Sequence, residues 1–458
     1  MNIPEKLIQK YNVAVPRYTS YPPANFFTET FGEARFREAV IRSNHDQPQN
    51  ISLYLHIPFC PQLCYYCGCN MHISRDKSLH RRYVEAIQQE IRMLRPLLDP
   101  SRKVSQVHWG GGTPNALEIE QVEAIMQLLY HEFDFTAQPE IAIECNPAYL
   151  DLAYLDRLHA AGFNRFSLGI QDFSEQVLQT VNRAIPGIPV AELVARIKTY
   201  GQAKVNLDFI YGLPHQTPES FAHTIEQAIR LAPDRLVTFS YAHIPQLKKA
   251  QQQLEKAGIA GPEAKVKMFE NTYRLMSEAG YTAIGLDHFA RQDDELSLAL
   301  TNRKLHRNFQ GYCTRETTGQ VYAFGNTGIS QLENSYAQNV REVKTYLERI
   351  AQGKFTTEKG YLLSPQERAV RHVINELMCN HYLSWAEAAA TLGVSAEELR
   401  QTVRYAPAEL EDFSAEGLLL FSDSELTVTP LGRFFVRNIA ASFDPNLQQT
   451  GKTFSKAL

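Results

Sequence analysis

Ile51-Ser-Leu-Tyr-Leu-His56-Ile-Pro-Phe-Cys60-Pro-Gln-Leu-Cys64-Tyr-Tyr-Cys67-Gly-Cys69 carries a short apolar run straight into four of the chain's seven cysteines. The run from Ile51 to His56 has the length of a buried strand, and the thiols crowd into the loop behind it. A C-x3-C-x2-C spacing lets one curling loop bring three thiolates to a single soft metal centre. On a four-iron cluster, three thiolates leave one iron open to bind and reduce a substrate.

Two plainer readings compete. A structural disulfide is disfavoured, because Met1-Asn-Ile-Pro-Glu-Lys does not resemble a secretory signal and the other cysteines are scattered singly. Zinc could take Cys64 and Cys67 with Cys69 or His72, but zinc sites usually draw on a second ligand pair farther along, and none exists here.

The chain has 458 residues, 44% hydrophobic and 21% charged, which leaves room for two or three soluble domains. A formal net charge of -4 points to neither nucleic acid nor an acidic membrane surface. No apolar stretch is long enough to cross a bilayer, so the expected location is the cytoplasm.

Outward from the cysteine loop, β-type runs alternate with helix-period segments. The runs are Ile51 to His56, Val104 to Trp109, Glu140 to Cys145, Arg165 to Gly169, Val205 to Ile210 and Leu236 to Tyr241. Leu79, Tyr83, Ile87, Ile91 and Leu94 mark one helical face between them, and Ile119, Val122, Ile125, Met126 and Leu129 another. Such alternation implies parallel strands with right-handed crossovers, hence an α/β fold with a partial six-unit barrel; an open doubly wound sheet is the rival.

Each run ends in something chemically unusual: the cysteines, Gly110-Gly-Gly-Thr113-Pro, Glu144, Gln171-Asp172, Asp208 with Tyr211-Gly-Leu-Pro, and Ala242-His243. That rim is where parallel α/β folds build sites, so one site spanning it is expected. The glycine run lacks G-x-G-x-x-G spacing and does not support a dinucleotide fold, but its bare backbone can lie against a ligand. Glu144 and Asp208 suit a ribose diol or an amino group, or could cap the following helices. His56 is read as a hydrogen-bonding neighbour of the cysteine loop rather than a ligand. Cys145, Cys313 and Cys379 are read as buried free thiols.

Three segments follow from this reading: an N-terminal arm over 1–50 that covers the substrate, a barrel with an extension over 51–360, and a mainly helical C-terminal domain over 361–458. Prolines at 16, 22 and 23 keep the arm from being a regular helix there, and an amphipathic helix is expected near Phe31 to Ile41. The last segment resembles a winged helix without a basic stripe, and is read as a lid or scaffold rather than a DNA reader.

The C-x3-C-x2-C loop before an aromatic-rich partial barrel resembles the radical S-adenosylmethionine (SAM) enzymes. The fuller set resembles the oxygen-independent coproporphyrinogen III oxidases: Pro16-Arg-Tyr-Thr-Ser-Tyr-Pro22, His56-Ile-Pro-Phe-Cys60, the added Cys69, Trp109-Gly-Gly-Gly-Thr-Pro114, Tyr211-Gly-Leu-Pro214, His288-Phe-Ala-Arg291 and His306-Arg-Asn-Phe-Gln-Gly311. The resemblance implies a 4Fe-4S cluster on Cys60, Cys64 and Cys67, with Cys69 a catalytic participant and not a ligand. It implies two SAM molecules, one near Tyr54, Tyr66, Gly111, Glu144 and Ile329, the other near Gly112, Thr113, Gln171, Arg183, Asp208 and Ala242. A 5'-deoxyadenosyl radical would take hydrogen from two propionates of coproporphyrinogen III, leaving two vinyls and carbon dioxide, in a porphyrin-forming oxidoreductase.

It further implies an electron donor such as flavodoxin or ferredoxin, and a monomer. Arg17, Arg291 and Arg307 are taken as propionate partners, since guanidinium meets carboxylate bidentately. The stretch Ala323-Phe-Gly-Asn-Thr-Gly-Ile329-Ser departs from the glycine-richer pattern expected there, and Glu144-Cys-Asn-Pro varies on Glu-x-Asp-Pro. A haem-opening methyltransferase and a haem-binding chaperone are the alternatives; Cys69 and the arm motif favour the oxidase.

Overall fold

The computed structural model describes residues 3–314, 319–447 and 454. Six strands lie side by side in chain order, all parallel: β1 (Ile51–Ile57), β2 (Val104–Gly111), β3 (Phe135–Cys145), β4 (Arg165–Gln171), β5 (Lys204–Tyr211) and β6 (Arg235–Ser240). Their order never reverses, so there is no switch point of the doubly wound kind and the sheet curls into a partial barrel. β3 starts earlier than its apolar run, because Phe135 pairs with Val104 across a register shift.

Helices cover the outside. In Lys77–Leu94 the residues Tyr83, Val84, Ile87, Ile91 and Leu94 are buried, and the Asp76 side chain caps the first turn by accepting from the Ser78 N–H at 2.9 Å. Ile119–Glu132 buries Ile119, Val122, Ile125, Met126 and Leu129 in the same way. Each such side chain stabilises the fold by about 1.5–3 kcal/mol relative to exposure.

Beyond β6 the sheet continues in short strands with too few residues to show a period. β7 (Val321–Phe324) joins the free edge of β1 in parallel, followed by antiparallel Ile329–Gln331, Ser335–Asn339 and Thr357–Leu362. On the other edge His288–Arg291 pairs antiparallel with β6.

Strand alternation divides side chains between two environments. Val107, Trp109, Ile141, Ile143, Phe166, Leu168, Val205, Leu207 and Leu236 pack outward in the main core. Their neighbours Gln106, His108, Glu140, Glu144, Arg165, Ser167, Asp208, Arg235, Phe239 and His288 face inward around a cavity of about 120 Å³. The amino-terminal end of this lumen is tied by charge: Arg165 Nε donates to Glu140 at 2.5 Å, Gln106 to Glu140 at 2.7 Å, and Arg235 to Asp294 at 2.9 Å and Glu295 at 2.7 Å.

The first fifty residues are not one arm over the barrel. Ile3, Leu7, Tyr11, Val15, Tyr18 and Tyr21 belong to the core of the C-terminal part, with residues such as Trp385, Phe413 and Phe435, whereas Phe36 and Val40 of the helix Glu33–Ser43 belong to the barrel core. The tyrosines decide this, since the Tyr18 and Tyr21 hydroxyls each donate to the buried Asp444 at 3.0 Å. Within that C-terminal part, the helix Pro365–Asn375 runs into a wider turn, Glu376–Asn380. A helix at Pro407–Ala415 and a three-stranded antiparallel sheet of Tyr382–Ser384, Glu425–Val428 and Leu419–Phe421 complete it.

Candidate active site

The cysteine loop leaves β1 at the carboxyl end of the barrel and is held by residues that the sequence did not single out. Tyr65 N–H donates to the Val181 carbonyl at 2.9 Å and Asn182 Nδ2 to the Leu63 carbonyl at 2.7 Å. Buried Gln251 donates to the carbonyls of Tyr66 and Ala242, both at 3.1 Å, tying the loop to the end of β6. Lys248 Nζ reaches the Cys69 carbonyl at 3.0 Å.

Each of the three spaced sulfurs has its own donor. Thr113 Oγ1 lies 3.4 Å from Cys60 Sγ, Arg183 Nη1 lies 3.7 Å from Cys64 Sγ, and the Cys69 thiol hydrogen-bonds Cys67. That last bond is the main reason the Cys67 thiol is drawn down to about 6, and it keeps Cys69 itself protonated. Burial pushes Cys60 up to about 11. The donor set fits a 4Fe-4S cluster, with one hydrogen bond for each of three ligands and the fourth cysteine spent as a donor. Among the described residues no group of three His, Cys, Asp or Glu side chains is placed to hold a single metal ion.

The glycine lip closes against this loop. Gly112 N–H donates to the Ile57 carbonyl at 2.8 Å and Thr113 N–H to the Phe59 carbonyl at 2.9 Å. A Cβ on Gly112 would lie 2.5 Å from the Pro58 carbonyl oxygen and 3.0 Å from Cys60 Sγ; one on Gly110 would lie 2.8 Å from Glu144 Oε1. Bare backbone is therefore required at Gly112, whereas a side chain at Gly110 would displace the Glu144 carboxyl.

Glu144 accepts from His108 Nε2 at 3.0 Å and from the Gly111 N–H at 3.3 Å. Burial would raise its pKa, but these donors outweigh it and hold the carboxyl below its ordinary value. Asp208, with one bond from Ser167 at 3.0 Å, is pushed up to about 7 by burial. His108 stacks on Tyr54 at 5.9 Å, and Tyr54 reaches His56 Nδ1 at 3.2 Å. His56 also contacts the Asn70 carbonyl and Thr327 Oγ1, both at 3.2 Å, and burial drops it to about 4, so its imidazole is neutral.

Arg183 also donates to the Gly169 carbonyl, and Gln171, in a left-handed conformation with φ +71°, presents a buried Oε1 with no hydrogen-bond partner among the described residues. An acceptor aimed inward without a donor suits a ligand rich in amino and hydroxyl groups. Ile329 opens its strand beside Thr327 but packs with Phe27, Phe309 and Tyr336, apart from the contacts that link the other rim residues.

The three arginines expected to meet propionates separate. Arg291 stands at the amino-terminal end of the barrel, because its strand runs antiparallel to β6; it pairs with Asp293, which removes it from the site. Arg307 is buried with Nη1 on the Tyr312 hydroxyl at 2.9 Å. Arg17 is half exposed and bonds Asp287 at 3.0 Å.

An open-edged parallel barrel whose rim joins a three-cysteine loop to a bare glycine lip is the radical SAM architecture, and the model of the radical SAM superfamily matches residues 54–228. The HemN C-terminal domain matches residues 363–435. The oxygen-independent coproporphyrinogen III oxidase of Synechocystis sp. is 40% identical over 456 residues, covering 99% of this chain and 97% of its own. The Escherichia coli enzyme of that name is 41% identical over 451 residues, covering 97% and 96%. The solved Escherichia coli coproporphyrinogen III oxidase superposes with a TM-score of 0.89 at 38% identity, over 98% of this chain and all of that one. The chain belongs to the oxygen-independent coproporphyrinogen III oxidases. No helix of the described residues is long and apolar enough to cross a membrane.

Proposed function

We propose that this chain converts coproporphyrinogen III to protoporphyrinogen IX in haem biosynthesis, turning two propionates into vinyl groups without oxygen. The observation that supports it best is the loop in which Cys60, Cys64 and Cys67 each keep a separate hydrogen-bond donor beside a lip that tolerates no side chain at Gly112. The bound 4Fe-4S cluster and SAM supply the radical that removes hydrogen from the propionate β-carbon.

The protein's own part is holding and excluding. Glu144, Gly111, Tyr54 and Tyr66 form the wall for one SAM, with Ile329 an apolar edge; Gly112, Thr113, Gln171, Arg183, Asp208 and Ala242 offer donors and acceptors for a second. Cys69, beside the three spaced cysteines and not one of them, is the side chain assigned to exchange hydrogen or a proton during turnover. A donor such as flavodoxin or ferredoxin supplies the electron.

The test is anaerobic turnover by the reconstituted, reduced enzyme with SAM and coproporphyrinogen III, read by mass spectrometry of the product and by SAM consumed. Two vinyl groups are expected. Recovery of intact substrate from a sample that still cleaves SAM would overturn the assignment.

A further inference from the structure

The lumen opposite the cysteine loop holds an acid–imidazole pair that the roles above do not use. Asp287, buried beside Arg17, accepts from His288 Nδ1 at 2.7 Å. Burial would raise the Asp287 pKa, but His288, Arg307 and Arg17 outweigh it and keep it a carboxylate. A carboxylate cannot donate, so Nδ1 carries the proton and Nε2 is left for another partner. His288 lines the barrel cavity with Glu144 and Asp208, flanked by the rings of Phe239 and Tyr312. Gly311 leaves the space beside Nε2 uncrowded: even an added Cβ there would stand 3.9 Å away.

The other basic side chains facing this cavity are each bonded to an acid. Arg165 is taken by Glu140, Arg235 by Asp294 and Glu295, and His108 by Glu144. Asp287 beneath the ring offsets the charge that His288 gains when Nε2 takes up a proton, so the ring can meet an anion from the lumen side.

We propose that His288 is a substrate-binding residue whose Nε2–H grips a propionate carboxylate of the tetrapyrrole inside the barrel, with Asp287 and Arg17 as positioning residues that hold the ring and its charge. The proposal rests on the tetrapyrrole reading above and names the group that receives the substrate's charged end. No atom passes to or from His288; it orients the carboxylate so that the propionate β-carbon, two bonds away, faces the SAM wall.

Two variants of the full-length, cluster-loaded enzyme separate its roles. Asn in H288N places an amide N–H where Nδ1 was and keeps the Asp287 bond but offers nothing at Nε2, whereas Gln in H288Q reaches the Nε2 position. The probes are coproporphyrin III, a fluorescent tetracarboxylate, and its tetramethyl ester. H288N should weaken coproporphyrin III binding roughly ten- to hundred-fold and raise KM more than it lowers kcat, H288Q should recover part of both, and ester binding should be the same in all three proteins. Unchanged coproporphyrin III affinity in H288N, or an equal loss for the ester, overturns the proposal. Absence of vinyl product from the unsubstituted enzyme would sink the functional reading, while the binding comparison would still judge His288.

Discussion

Gly112→Ala tests the site at its tightest point. The added Cβ would stand 2.5 Å from the Pro58 carbonyl oxygen, and restoring an ordinary contact of 3.4 Å moves the two backbones apart by roughly 0.9 Å. Those backbones are locked by the Gly112 to Ile57 and Thr113 to Phe59 hydrogen bonds, at 2.8 and 2.9 Å, so the lip cannot shift without stretching both. Overpacking of this kind costs about 1–3 kcal/mol locally, far less than the stability of a large chain, so the protein should still fold. The damage falls on geometry: Cys60 Sγ lies 3.0 Å from the same Cβ and is bonded by Thr113, so ligand and donor are displaced together. A displacement approaching 1 Å at reacting groups costs on the order of 100-fold in rate. Iron and sulfide content, the circular dichroism spectrum and SAM cleavage per cluster would be measured on the anaerobically reconstituted variant. We expect an unchanged fold, lowered iron content and a roughly 100-fold loss of SAM cleavage. Full iron and undiminished cleavage would refute the claim that this lip requires bare backbone.

Cys69→Ser keeps a hydroxyl that can donate to Cys67, so iron content should stay intact while product formation falls by roughly 100-fold or more; loss of iron would put Cys69 among the ligands. Glu90, buried beneath the stretch that leads to Ile329, accepts from Gly325 N–H at 2.9 Å, Asn339 at 2.9 Å and the Tyr346 hydroxyl at 2.7 Å, and burial pushes it up to about 7. Its folded pKa is raised, so the stability it contributes is complete below its ordinary value of 4.5 and is lost as pH rises through about 7. Glu90→Gln removes that dependence, and the gap in melting temperature between the two proteins should shrink as pH is raised from about 5 to about 8. A gap that stays constant across that range would show that Glu90 is not a neutral acid in the fold.

The cysteine loop, the six strands and the two marked helical faces were legible because each carries its own local signal: a spacing, or a period of 2 or 3.6 sustained over enough residues. What was not legible depends on closure. Arg165 and Glu140, 25 positions apart, face each other only because register places them on neighbouring inward rows, and nothing local marks the pair. Gln251 and Asn182 sit in loops, and their value lies in backbone carbonyls supplied by other segments. Arg291 misled because the direction of a four-residue strand is a property of its partner, and the antiparallel pairing with β6 carries it to the far end. The aromatic arm motif signalled burial correctly, yet the buried carboxylate that receives its hydroxyls lies more than four hundred residues away.

That separation sets an order of assembly on a chain made from its first residue onward. The arm's tyrosines cannot reach their acceptor until Asp444 has been synthesised, whereas the sheet that carries the cysteine loop is complete at Leu362. At typical elongation rates the interval between those two points lasts roughly 4 to 16 seconds. During it the barrel can form before the tyrosines of the arm dock on Asp444, so the C-terminal part closes over a sheet already built.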